Sequence, residues 1–343
     1  MPLGLNPRET LTNKRRMMKK EDLRIVFMGT PEFAVGTLKA LVEGGYRVVA
    51  VVTQPDKPVG RHGSVLQPSE VKQYALSQDI PVLQPEKMKD PAFVEQLRSY
   101  EADLQVVVAF RMLPEVVWDM PRLGTFNVHA ALLPQYRGAA PINWAVINGE
   151  TVTGVTTFFL DHDIDTGRVI MRRKFDIPDD ADVEYVYDGL MHLGAEVALE
   201  TIDRIIAGDG QVEAIPQEEM MTEGVTLHPA PKIFKETCRI DWSLPSKRIY
   251  DFVRGLSPYP GAWTMMQPVT GNAVVVKVFK TTKCPEKVAD ERPGTILVEK
   301  NKLYVVTGDG VLRIDALQMA GKKRMDAAAF LNGMRNVETN VME

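Results

Sequence analysis

Residues 23–53 read as strand, helix and strand in quick succession. Leu23–Met28 (LRIVFM) is a short apolar run stopped by Gly29, the pattern of a strand buried on both faces. Thr30 is placed to cap a helix, Pro31 suits its first turn, and Glu32 faces its positive end. Val35, Leu38 and Leu41 then recur at helical spacing until Gly44-Gly45 stops the helix. Arg47–Thr53 (RVVAVVT) is the next strand. Two strands joined by a helix make a right-handed parallel unit, and a parallel sheet needs helices on its faces. The chain is therefore expected to be α/β, a Rossmann-like, mostly parallel sheet with helices on both faces.

The alternation continues. Ser69 caps a helix to Ser77, Ile80–Leu83 is a short strand, and Asp90-Pro91 opens another helix. Asp103–Ala109, Gly124–Ala130, Gly154–Leu160 and Arg168–Phe175 read as strands, Ala139–Asn148 as a helix. A long helix is predicted from Asp182 to Ala207, with Leu190, Leu193, Val197, Ile202 and Ile205 as its buried stripe. After Gly208-Asp209-Gly210 the chain turns polar and rich in Gly, Pro, Glu and Thr. A helix near Ser246–Leu256 precedes short β-like runs at Ala262–Met266, Ala273–Lys280, Thr295–Val298, Leu303–Thr307 and Val311–Leu317. Such runs, with a hairpin turn at Gly308-Asp309-Gly310 and a last helix over Asp326–Met334, suggest a small OB-like β-barrel. The expected organisation is a disordered extension over residues 1–22, a catalytic domain over 23–209, a linker over 210–231 and a carboxy-terminal domain over 232–343. The basic cluster Lys14, Arg15, Arg16, Lys19 and Lys20 is read as part of a loose tail, with Met17 or Met18 an alternative start, rather than as an RNA-binding arm.

Charge and composition set further bounds. At 343 residues with a net charge of −4, the protein is not coated in positive charge, though a local basic groove is compatible with that total. No apolar run approaches the ~20 residues of a membrane helix, and no secretory signal is visible. Cys238 and Cys284 are far apart and make no metal-type spacing, so neither metal nor membrane is expected, and the cytoplasm is the expected location.

The first strand ends in G-T-P-E-F-A, which lacks the second and third glycines of a dinucleotide fingerprint and argues against nicotinamide chemistry. Asn127 and His129 share one face of a predicted strand, and Asp165 follows in the segment Asp161–Gly167 (DHDIDTG). Polar groups at strand ends and in the following loops gather in the ligand crevice of such a sheet. No serine or cysteine stands near them as a nucleophile, so the trio suits direct attack of an amine on a carbonyl. Asn127 and a protonated His129 would donate to the developing oxyanion, while Asp165 would favour the imidazolium and help remove the amine's proton.

The stretch Asn127–Ile147 (NVHAALLPQYRGAAPINWAVI) and the DxxxDTG of Asp161–Gly167 resemble the signature of the folate-dependent formyltransferases. The resemblance extends to LRIVFMGTPEFAV (Leu23–Val35), TQPDKPVGR (Thr53–Arg61), RIDWS (Arg239–Ser243) and GKKRM (Gly321–Met325). It is narrowest toward the members that act on initiator methionyl-tRNA. It implies a Rossmann-type domain followed by an OB-like barrel, 10-formyltetrahydrofolate as co-substrate, and Asn127, His129 and Asp165 as catalytic residues. It further implies folate contacts from Phe110, Arg111, Met112, Leu113 and Pro114, from Leu132, Leu133 and Pro134, and from Asp161 and Asp163. The long loop Pro55–Pro68 would reach the acceptor arm of the tRNA through Lys57 and Arg61, and Lys322 and Lys323 of the barrel would touch it as well. A monomer is expected.

This sequence departs from the family pattern in three places. The lysines that usually follow Arg61 are absent, Ala131 stands where a serine is usual, and Phe110-Arg111 replaces a common Tyr-Gly. The competing readings are a formyltransferase for an amino sugar or glycinamide ribonucleotide, and a tRNA-binding protein without catalysis. The insertion and the appended β-rich domain favour a bulky RNA substrate over a small one. Retention of all three polar groups favours catalysis.

Overall fold

The computed structural model of the chain describes residues 18–59, 65–268, 271–287, 289–334 and 336–343. From β1 (Arg24–Gly29) the chain passes through α1 (Glu32–Glu43) to β2 (Arg47–Val52). A small antiparallel hairpin follows, β3 (Lys57–Val59) with β4 (Val65–Gln67), then α2 (Glu70–Ser77), β5 (Val82–Leu83), α3 (Pro91–Arg98) and β6 (Leu104–Val108). α4 (Glu115–Trp118), β7 (Thr125–His129), α5 (Pro141–Ile147), β8 (Val152–Phe159), β9 (Val169–Asp176) and α6 (Val183–Ala207) complete the unit. The sheet order is β5-β2-β1-β6-β7-β8-β9, with every strand parallel except β8.

Alternation along β1 explains why its sequence is apolar throughout. Ile25 and Phe27 pack with Leu38 and Leu41 of α1 on one face. Val26 and Met28 pack with Phe93 and Leu97 of α3 on the other. Helices thus cover both faces, as the sequence led us to expect. Ser69 and Asp90 cap their helices, accepting from Lys72 N at 3.1 Å and Ala92 N at 2.9 Å. Thr30 does not. Its hydroxyl lies 3.4 Å from Gln54 N at the end of β2, and Pro31 occupies the cap position without a side-chain bond. Residues 1–17 fall outside the described residues, but 18–22 are tied down: Met18 packs on the core and Lys20 Nζ donates to Gly44 O at 2.7 Å.

The carboxy-terminal unit opens with α7 (Ser246–Leu256). Its strands are β10 (Ala262–Gln267), β11 (Val274–Lys283), β12 (Ile296–Glu299), β13 (Lys302–Val306), β14 (Val311–Met319), β15 (Met325–Asp326) and, after α8 (Ala327–Gly333), β16 (Val341–Met342). The order β12-β13-β14-β11-β10-β16, with a bridge between Thr295 and Val341, brings the two edges together into a nearly closed barrel. Val276, Val278, Ile314, Leu317 and Phe330 fill it, joined by Ile249 and Val253 of α7. The two units meet where α5 crosses α7. Ile147 enters the second core, and Asn143 Nδ2 donates to Gly255 O at 2.9 Å. A Cβ on Gly255 would lie 2.6 Å from the Ile147 side chain, so only glycine permits this approach. The buried pair Asp251–Arg254 lies at the same seam, with Arg254 donating 2.9 Å to Ala181 O of the first unit.

Candidate active site

In this sheet β1 leads to β2 on one side, and the chain later returns to place β6 on the other. The carboxyl ends of β1 and β6 therefore diverge into a crevice, as at any such reversal of strand order. A cavity of about 800 Å³ opens there. It takes Pro31 and Phe33 from the start of α1, Val107 and Ala109–Leu113 from β6 and its loop, and Asn127–Ala130 from the end of β7. The loop carrying Asp161–Asp165, the turn Gly138–Ala140 and Lys232 complete its rim.

Asn127, His129 and Asp165 all line this one cavity. His129 is buried at 7% exposure, and its Nε2 lies 2.9 Å from the backbone oxygen of Tyr136. A carbonyl only accepts, so Nε2 carries the hydrogen and the tautomer is fixed. Nδ1 is left as the working atom, 3.8 Å from Asp165 Oδ2. That separation is too long for a hydrogen bond and short enough for a strong charge interaction if the ring is protonated. The same Oδ2 accepts from Gly138 N at 2.9 Å, and Asp165 itself adopts a left-handed backbone, φ 55°. Phe158 meets the imidazole edge-on at 6.3 Å between centroids.

Tyr136 presents its carbonyl to His129 because three contacts with two neighbours hold it. Its N–H donates to His228 O at 2.8 Å, its ring stacks on the His228 ring, and its hydroxyl donates to Glu150 at 2.5 Å. Burial, then the Glu150 carboxylate, push the Tyr136 phenol well above its ordinary pKa, so it stays a neutral donor.

The other predicted residues divide. Phe110, Arg111, Met112 and Leu113 line the cavity, as do Asp161 and Asp163 at its exposed rim. Pro114 instead starts α4 and lines a neighbouring hollow of about 550 Å³. Leu132, Leu133 and Pro134 do not line the cavity; Leu133 is fully buried with Phe158 and Val169 behind the sheet edge. Pro134 is buried as well and Leu132 half-buried, in the turn after β7. Lys57 is exposed on β3, and Lys322 and Lys323 are exposed between β14 and β15. Arg61 lies outside the described residues.

The cavity suits a flat heterocycle carried on an extended tail. Its β6 side is apolar, with Val107, Phe110, Met112, Leu113 and Trp118, and its volume falls within the usual 300–1,000 Å³ of ligand pockets. Arg111 gives its terminal nitrogens to the carbonyls of Pro85 and Glu86, while its buried Nε has no hydrogen-bond partner among the described residues. A buried unpaired donor at a pocket wall is a place for a ligand acceptor.

Sequence reasoning missed several contributors. Tyr136 acts through its backbone, which residue type does not advertise. Lys232 carries no motif that would mark it, yet it lines the cavity. Gln217, fully buried, sits in the segment read as a linker and hydrogen-bonds to the Asp165 loop. That segment runs along the site: Ile215 bridges Val169 of β9, and Ala230 N and O bond Arg137 O and Ala140 N.

Residues 23–202 match the family described as formyl transferase, and residues 232–335 match the formyl transferase carboxy-terminal domain. A methionyl-tRNA formyltransferase of Parabacteroides distasonis is 62% identical over 321 residues, covering 93% of this chain and 98% of that protein. The protein of the same name from Porphyromonas gingivalis is 49% identical, covering 92% and 97%. Among solved structures, an N-formyltransferase from Helicobacter canadensis, in complex with folinic acid and dTDP-3-aminofucose, superposes with a TM-score of 0.60 at 19% identity, covering 88% of this chain and all 100% of that one. HypX from Aquifex aeolicus in complex with tetrahydrofolic acid gives 0.58 at 22% identity, covering 90% and 47%. At these identities the solved structures speak for the fold.

Proposed function

The chain belongs to the formyl transferase family, and from that premise we propose that it moves the formyl group of 10-formyltetrahydrofolate onto the α-amino group of methionine on initiator methionyl-tRNA. The observation that carries this reading is the 62% identity, over nearly the whole of both chains, to a protein of that name. The site chemistry supports it.

Bound in the crevice, the folate supplies a carbonyl at the formyl level. The Asn127 amide and the Nδ1–H of a protonated His129 are the donors for the negative charge that develops on its oxygen. Asp165, 3.8 Å from Nδ1, is the carboxylate placed to take the proton that the attacking amine gives up as the new carbon–nitrogen bond forms; collapse of the adduct breaks the bond between the formyl carbon and N10, and that proton goes to the N10 of the leaving tetrahydrofolate. Tyr136 keeps the ring turned so that Nδ1 faces the cavity.

A continuous basic and aromatic face supports an RNA substrate. Lys232, at the cavity rim, stands over Phe234; Arg239 stands over Trp263; Lys277 pairs with Trp263 across β10 and β11; and Arg324 stands over Phe279. Lys232, Phe234, Arg239 and Arg324 are exposed, whereas Lys277 and Trp263 are half-buried and Phe279 is buried, so the face offers cations to a phosphate backbone and Phe234 to a base. Lys57, Lys322 and Lys323 extend the charge, with Arg61 as a further contact. Among the described residues no helix is long and apolar enough to cross a membrane. The enzyme is proposed to act in the cytoplasm as a monomer.

The deciding assay supplies purified enzyme with 10-formyltetrahydrofolate and charged initiator tRNA. Formyl-methionyl-tRNA is the expected product. Formylation of a nucleotide-linked amino sugar and not of the tRNA would overturn the substrate, and tRNA binding without turnover would overturn the activity.

A further inference from the structure

The buried side chain of Gln217 uses both ends at once. Its Nε2 donates to Asp165 O and to Gly167 O, each at 2.8 Å. Its Oε1 accepts from Arg137 Nε at 3.0 Å and Arg137 Nη2 at 2.7 Å. The residue is 0% exposed, so these four bonds replace water entirely. One amide thereby ties the turn after β7, which supplies the His129 anchor Tyr136, to the loop that supplies Asp165.

We propose that Gln217 is a positioning residue for formyl transfer, fixing the Asp165 carboxylate against His129 from within the segment that joins the two domains. The proposal rests on the catalytic reading of Asn127, His129 and Asp165 given above. Asp165 has a left-handed backbone, φ 55°, which Asp tolerates better than most residues with a Cβ, so the bonds its surroundings make decide how it is held. The bond from Gln217 to the Asp165 carbonyl is one such restraint, and the bond from Gly138 N to the carboxylate is the other. Gly138 is itself set by the same segment. Its φ is 125°, and a Cβ there would lie 2.5 Å from Ala230 O, so the joining segment lies directly on the turn. Both restraints on Asp165 therefore depend on residues 217–230. The fork from Arg137 explains what that arginine of the signature does: it fixes the direction of the Gln217 amide, so that the N–H₂ end faces the Asp165 loop.

Gln217→Glu tests this, because it keeps the shape and the acceptor for Arg137 while removing both donors to the loop. Steady-state formylation of methionyl-tRNA should show kcat lowered between about ten- and one-hundredfold, with KM for tRNA and for the folate held within about twofold. A structural role alone would lower the thermal midpoint and leave kcat per folded molecule unchanged, and that result overturns the proposal. So does a rise in either KM with kcat intact. Asp165→Asn is measured alongside. If it loses turnover while Gln217→Glu does not, positioning fails and the catalytic trio stands. If Asp165→Asn is silent, the trio reading fails, and any loss in Gln217→Glu then has another cause. Should Gln217→Glu not fold, Arg137→Lys, which keeps the charge and loses the fork, serves in its place. Lowered kcat with KM held supports the proposal, and unchanged kcat overturns it.

Discussion

The crevice and the outer face of the barrel are built on opposite plans. At the crevice, backbone groups and buried amides hold His129 and Asp165, and each atom has one place to be. On the barrel, Lys322, Lys323 and Arg324 stand exposed in a turn, with Arg324 resting on Phe279. Bond formation needs donors fixed to within a fraction of an ångström, whereas attraction of a polyanion needs charge density and tolerates motion. Substitutions in the first region should therefore be few, large and specific to turnover; in the second they should be many, small and salt-dependent.

The largest expected effect falls on Asn127→Ala. Loss of one oxyanion donor should lower kcat by about 10²–10³-fold, roughly 3–4 kcal/mol, while urea unfolding changes little because Asn127 is only partly buried. Near-normal kcat would remove Asn127 from the mechanism. His129→Ala should fall in the same range. The next largest effect is at the seam. Asp251 is 2% exposed and pairs with the buried Arg254 at 2.8 Å. Asp251→Ala leaves that guanidinium without its carboxylate, and should cost about 3 kcal/mol in chemical denaturation. A change under about 1 kcal/mol would mean that the Ala181 carbonyl suffices for Arg254.

The two regions also differ in how far the sequence reveals them. Most strands and helices of the first sheet were legible because buried strands read as apolar runs and α2, α3 and α6 begin at a capping Ser69, Asp90 and Asp182; α4, four residues long and without a side-chain cap, was not. The last two strands are less apolar, with three threonines in VTGVTTFF and Arg172, Arg173 and Lys174 in VIMRRKFD, but nothing in them states that β8 alone runs against the rest of the sheet. Asn127 and His129 were legible from alternation and Asp165 from the polar loop Asp161–Gly167, with the family signature adding to all three; the structure brings them to one cavity. The carbonyl of Tyr136 was not, since any residue has one. Nor was Gln217, a lone amide among polar residues, where only the folded chain shows four bonds converging. The hairpin of β3 and β4 was read as plain loop because its exposed strands are three residues each, too short for a period to emerge. Pro114, Leu132, Leu133 and Pro134 came from the resemblance as folate contacts, but a motif does not say which of its residues face inward.

A smaller effect should come from the barrel. Replacing Lys322 and Lys323 together by Ala should raise KM for tRNA several-fold with kcat and folate KM unchanged. It should also reduce the slope of log affinity against log salt by about 0.9 for each phosphate no longer neutralised. An equal loss for both substrates, or an unchanged slope, would place these lysines off the RNA path and weaken the contrast between barrel and crevice.

The smallest expected effect concerns an exposed ion pair between the domains. Asp179, in the connection from β9 to α6, accepts from Lys283 of β11 and lies 4.0 Å from Lys247, while its backbone oxygen accepts from Tyr250 at 2.9 Å. The Lys283 hydrogen bond holds the Asp179 carboxyl below its ordinary pKa, and the same bond raises Lys283 above its own. A depressed carboxyl contributes stability that is present above its unfolded value of about 3.9 and is lost as pH falls through the folded value. A raised ammonium contributes below its unfolded value of about 10.4, and that contribution is lost as pH rises through the folded one. Asp179→Asn should therefore lower stability by only a few tenths of a kcal/mol at neutral pH, since the pair is screened by solvent. The gap between wild type and variant should close at both ends of the pH range. Thermal melts from about pH 2 to about pH 12 would measure it. A gap that persisted below about pH 3 would assign the effect to the Tyr250 bond and its backbone geometry, and the exposed pair would then contribute nothing of its own.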